Sequence, residues 1–107
     1  METIKVSDFS HYPGPRYVKL GKYSGEEFRD KKLIPAIKTY GVNIQVDLDG
    51  VAGYGSSFLD EAFAGLIRCG VEKSTVLRLV ENLKSDDDPY RIEEIKEYVD
   101  DQIKAKT

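Results

Sequence analysis

The residues of this chain best placed for chemistry are the adjacent serines Ser56 and Ser57. They lie within residues 43–67, NIQVDLDGVAGYGSSFLDEAFAGLI, which read as a strand, a glycine-bearing turn, two hydroxyls and an amphipathic helix. Hydroxyls at a helix start stand among backbone N–H groups without helical partners, at the positive end of the helix dipole. Such a place accepts negative charge, either as a phosphoryl group on a serine or as a bound anion. A plain helix cap is the simplest reading. Ser57 and Asp60 have capping-box spacing, which makes Ser57 the N-cap and leaves Ser56 just outside the helix. Gly53, Tyr54, Gly55 and Phe58 frame the serines as candidate contacts for a partner or an anion, and Arg16 is a candidate cation for the same surface.

Other constellations are less complete. Asp47 and Asp49 fall on one side of a strand, where two carboxylates could hold Mg²⁺ or act as acid and base; a turn-forming Asp49-Gly50 is the simpler reading. Residues 49–55 are glycine-rich but lack the G-K-[ST] ending of a phosphate-binding loop, so Gly53 and Gly55 are expected to serve positive φ angles or close packing. His11, the one histidine, has no nucleophile or metal-ligand partner in sequence, and Cys69 reads as a structural thiol. The acidic run at residues 86–88 lacks the remaining calcium-loop positions and fits a helix start. No catalytic residue, metal site or cofactor is assigned, and an enzyme is not expected.

The elements that position these residues follow from periodicity. Residues 3–9 and 17–20 alternate like strands and suggest an opening hairpin around the PGPR punctuation at residues 13–16. Ser24 and Glu27 form a capping box, with Tyr23 and Phe28 as its hydrophobic staple. Pro35 should kink or end that helix, and Gly41 should close it. Residues 42–48 alternate as a strand. Leu59, Ala62, Phe63, Leu66 and Ile67 make the stripe of the next helix, which Gly70 closes. Residues 75–80 suit a strand, with a short helix as the alternative. Asp88-Pro89 starts a final helix striped by Ile92, Ile95, Val99 and Ile103. The expected fold is α/β: one domain over residues 1–107, a mixed sheet of about four strands covered by about three helices, in the order β-β-α-β-α-β-α.

The bulk numbers exclude several classes. The net charge of -3 disfavours a general nucleic-acid binder, which needs a basic face. No run approaches the roughly 20 apolar residues of a membrane span. The first ten residues lack a signal-peptide core, and one cysteine cannot form an internal disulfide, so the expectation is a cytoplasmic protein.

That element order, with VDLDGV at residues 46–51 and SSFLDEAFAGLIR at residues 56–68, resembles the STAS domain of sulfate transporters and bacterial anti-sigma factor antagonists. It looks most like a small bacterial STAS-like family of unassigned function. In the antagonists, the first serine of such a pair is phosphorylated by a partner kinase that is itself an anti-sigma factor. The resemblance therefore implies Ser56 as the phosphorylated residue, with Ser57 beside it. Gly55 stands where the antagonists carry aspartate, and Phe58 where they usually carry glycine. The expected function is a small regulatory protein that binds a protein partner, an anti-sigma factor-like serine kinase among the candidates, and is switched by that phosphate. The alternative is a nucleotide- or anion-sensing module at the same helix N-terminus. Both a monomer and a homodimer fit the sequence.

Overall fold

A computed structural model describes residues 1–106. Strand β1 (Glu2–Lys5) lies parallel to β2 (Ile44–Asp47), with Ile4 beside Val46 and Lys5 beside Asp47. A third segment adds one parallel bridge, Lys84 to Asp47, flanked by Leu48 N–H to Lys84 O and Lys84 N–H to Val46 O. The sheet is thus small and parallel, with two strands where about four in a mixed sheet are expected.

Each missing strand has a physical reason. After Lys5 the chain turns into a single helical turn, α1 (Val6–Phe9), which buries Val6 and removes the hairpin. Residues 17–20 form a tight turn, Val18–Leu20, not a strand. The carbonyls of Pro15 and Arg16 accept the N–H groups of Gly25 and Glu26, so this segment satisfies the start of the next helix instead of a ladder. Residues 75–80 belong to helix α4 (Lys73–Glu81). Val76, Leu79 and Val80 are buried there while Leu77 faces out, so the helical period overrides β-branched propensity.

Helix α2 runs over residues 25–40 in three continuous segments: Gly25–Phe28, a wide π-type turn at Arg29–Leu33, and Ile34–Tyr40. Ser24 caps it, its hydroxyl accepting Glu27 N–H at 3.0 Å. Phe9 completes the staple by packing against both Tyr23 and Phe28. Pro35 does not end the helix. It stands at the second position after the wide turn, and the helix continues to Gly41, whose φ of 62° closes it. Helix α3 runs over residues 56–68 with the same construction, a wide turn at Asp60–Ala64 between Ser56–Leu59 and Gly65–Arg68. Helix α5 (Tyr90–Lys106) starts as expected, with Asp88 Oδ1 accepting Tyr90 N–H at 3.2 Å.

Helix α3 is the axis of the core, packed between α2 and α5. Phe58, Leu59, Ala62, Phe63 and Leu66 are wholly buried against Phe28, Leu33, Ile95 and Val99 in one cluster. The α2–α3 approach is closest at Gly25, where a Cβ would lie 2.5 Å from Phe58 O. Gly53, by contrast, has nothing within 4 Å of an added Cβ. Gly25→Ala is expected to lower the unfolding free energy by about 1–3 kcal/mol, and Gly53→Ala to stay within about 0.5 kcal/mol of the parent, both read by urea denaturation.

Candidate functional site

Two charged residues lie at the α2–α3 contact. Arg29 and Glu61 are 7% and 5% exposed, and the Arg29 guanidinium pairs directly with the Glu61 carboxylate. Glu61 also takes Arg68 at 3.0 Å and Arg16 at 3.5 Å, and Arg16 reaches Asp60 at 2.6 Å. Burial pulls the Arg29 guanidinium down, but the acidic groups around it, Asp30 and Glu61 among them, more than reverse this. Arg16 is likewise raised, chiefly by its hydrogen bond to Asp60. Arg16 is therefore an internal brace between the loop before α2 and the second turn of α3. Removing one member of a buried pair leaves an uncompensated charge, at a cost of about 3–5 kcal/mol.

Ser56 and Ser57 are both exposed in the first turn of α3. Gly55, not Ser57, is the N-cap, and no side chain caps the helix. Gly55 has the extended backbone of a cap with φ -79°, and Gly53 has no positive φ, so neither glycine serves strain or close packing. The left-handed position of this loop is Gly50, at φ 83°. The Ser56 side chain lies beside the Tyr98 phenol and favours its ionised form. Tyr98 donates to Glu94 at 2.6 Å, and Arg91 donates to Glu94 at 3.1 Å while approaching Asp88 at 3.4 Å. A row of polar side chains thus runs from Ser56 along one side of α5 to the loop that starts it.

Tyr54 is partly buried. Its hydroxyl donates to Leu48 O at 2.7 Å, its ring packs on Phe58, and the Arg91 guanidinium lies 5.9 Å from its centroid. Phe58 is wholly buried and belongs to the core, so it is not available as a surface contact. Beyond Tyr54, at the carboxyl end of β2, lies a 190 Å³ pocket lined by residues that include Val51, Gly53, Tyr54, Asp87 and Arg91. The aspartates hold this end together. Asp49 accepts the N–H groups of Asp87 at 2.9 Å and Asp86 at 3.0 Å and pairs with Lys84 at 2.9 Å, while Asp47 accepts Asp49 N–H. The Asp87 N–H, with Lys84 and the Asp86 N–H, holds the Asp49 carboxyl below its ordinary range against the effect of burial. Both aspartates are thereby loop-builders. Among the described residues, no group of three or more His, Cys, Asp and Glu could hold a metal ion.

The fold therefore brings Ser56, Tyr54, Tyr98, Glu94 and Arg91 together, and directs Arg16 inward. His11 lies on the surface with Nδ1 3.1 Å from Gly50 O, and Cys69 is exposed at the end of α3. The sequence reading missed Arg29–Glu61 and the Tyr98–Glu94 side of α5. The available signal was Glu61 itself, an acid inside a run that is otherwise apolar from Phe58 to Ile67 apart from Asp60 and Gly65.

Residues 24–88 match the family described as STAS-like domain of unknown function (DUF4325). The chain belongs to this STAS-like family. The match starts at the Ser24 cap of α2 and ends at Asp88, so it spans α2, β2, α3 and α4 and leaves out β1 and α5. No curated protein and no solved structure matches the chain significantly. Among the described residues, no helix is long and apolar enough to cross a membrane.

The two phenols carry a pH signature. Burial, reinforced by the Glu94 hydrogen bond and opposed by Ser56, pushes Tyr98 from 10.0 up to about 12. Burial, followed by the charges of Asp47 and Asp49, also pushes Tyr54 up. A phenol whose folded pKa is raised holds its proton more tightly when folded. Its contribution to stability is complete below the unfolded value of 10.0 and is lost as pH rises through about 12. Ultraviolet titration should show more tyrosinate at about pH 11 in denaturant than in native protein, and Tyr54→Phe and Tyr98→Phe should each shrink that difference.

Proposed function

We propose that this STAS-like domain is a regulatory protein that works by binding a protein partner, with affinity set by phosphorylation of Ser56. The observation that carries this reading is the position of Ser56: exposed at the uncapped start of α3, beside Tyr98. Ser57 is as exposed, but Ser56 is the serine that bears on the Tyr98 phenol, which makes it the favoured hydroxyl. A phosphate there adds about -1.5 to -2 charge at neutral pH. The acids that act on Tyr98, Glu94 and Asp60, already hold their cations, so the added charge competes with Glu94 for Arg91. Phosphorylation thus changes the charge of the Ser56–Tyr98 surface and loosens the tie between Tyr98 and Arg91. A partner that docks on the unmodified surface through apolar or acidic groups is released.

An anion or nucleotide sensor is the second reading, favoured by the pocket beside Tyr54 and Arg91. Its 190 Å³ is below the roughly 300 Å³ at which ordinary ligand sites begin, so it would take part of a nucleotide at most. Arg91 is also committed to Asp88 and Glu94. Partner switching therefore ranks first.

Affinity capture with parent, Ser56→Ala and Ser56→Asp baits tests the choice. Retention of one partner by the parent and Ser56→Ala, with loss from Ser56→Asp, is the expected outcome. Identical capture by all three baits would exclude charge control at this position, and thermal stabilisation by nucleotide would then favour the sensor.

A further inference from the structure

Half of the large apolar side chains left exposed on this protein fall in one loop before α2. Tyr12, Tyr17, Val18, Leu20 and Tyr23 are 76%, 39%, 55%, 62% and 45% exposed. Isolated exposed apolar residues need no explanation, but a cluster within twelve residues of one loop, two of them lining a groove, points to an interaction surface. This set is held in shape. Gly14 N–H bonds Tyr23 O at 2.8 Å, Leu20 N–H bonds Tyr17 O at 2.9 Å, and Val18 N–H bonds Glu26 Oε1 at 2.9 Å. Arg16 ties the loop to Asp60, and Phe9 braces the Tyr23 ring edge-on. Tyr23 sits at φ 57°, a conformation costly for a tyrosine that persists only where its surroundings enforce it. Rigid aromatic anchors lose little entropy on binding, so a framed apolar loop is a prepared contact surface.

The surface has a shape and a charge. Tyr17, Val18, Lys19 and Glu26 line an open groove of 470 Å³. Residues 12–23 include Arg16, Lys19 and Lys22 and no carboxylate, in a chain whose net charge is -3. Arg16 is engaged by Asp60, which leaves Lys19, over the Tyr17 ring, and Lys22 as the outward cations.

We propose that residues 12–23 form a docking surface for an acidic segment of a partner protein, one that seats an apolar side chain in the groove beside Tyr17 and Val18 and sets carboxylates against Lys19 and Lys22. A lipid surface would need the apolar tips and cations but not a fixed groove or a braced frame, so a shaped protein partner fits better. Its apolar side chains and lysines precede residues 24–88, so of the groove only Glu26 falls within the family match, and the surface requires no modification of Ser56.

The test places a photo-crosslinking benzoylphenylalanine at Val18 or Leu20 of the full chain in the cells that make it, with Leu77, also exposed, as the control position. The adduct is sequenced, and far-UV circular dichroism confirms that each variant folds. The expected result is one protein adduct from both loop positions, absent from Leu77, joined through a net-acidic peptide and abolished by Lys19→Glu with Lys22→Glu. A lipid adduct, an adduct with a second copy of the chain, a basic or neutral peptide, persistence after charge reversal, or no adduct at all would each overturn the proposal.

Discussion

Burying a charge is costly unless a partner of opposite sign is held against it, and this fold is arranged around one such pair. Arg29 opens the wide turn of α2, and Glu61 is the second residue of the wide turn of α3. A π-type turn inserts a residue and rotates the helix beyond it. The segments on either side of each wide turn can then both face the core while Arg29 and Glu61 face each other. Small residues make room for the pair. A Cβ on Gly65 would lie 2.9 Å from the Arg29 guanidinium, and one on Gly25 would meet the α3 backbone. Helix position, wide turns and glycines therefore answer a single electrostatic requirement.

That requirement also shapes the surface around Ser56. Arg16 and Arg68 complete the neutralisation of Asp60 and Glu61, so the second turn of α3 is fixed from two sides. The first turn is not held in this way, because Gly55 offers no side-chain cap and Ser56 and Ser57 face outward. The uncapped end of the helix thus adjoins a braced turn. Tyr98, Glu94 and Arg91 line α5 from there towards the loop that Asp49 builds.

The long-period features of the chain were legible in its sequence. The stripe of α3, the Ser24 cap, Gly41, Gly70, the strand at residues 44–47 and the Asp88 start of α5 all follow from local spacing. Strand pairing was not legible. Residues 3–9 and 17–20 alternate, yet Pro13 and Pro15 shorten any ladder and the adjoining carbonyls serve α2 instead. Residues 75–80 show how a β-branched run folds as a helix when its buried positions fall three and four apart. The serines were found, but not their setting: Ser57 resembled a cap because the spacing to Asp60 is right, whereas Asp60 is turned towards Arg16. The Arg29–Glu61 pair joins residues 32 positions apart, and no local pattern encodes it.

The most direct measurement is phosphopeptide mapping, with intact mass, of the protein isolated from the cells that make it. The expected result is a fraction carrying a single phosphate at Ser56, with Ser57 unmodified. A chain that remains unmodified at Ser56 across growth conditions, or that carries its phosphate elsewhere, would contradict a switch at the start of α3.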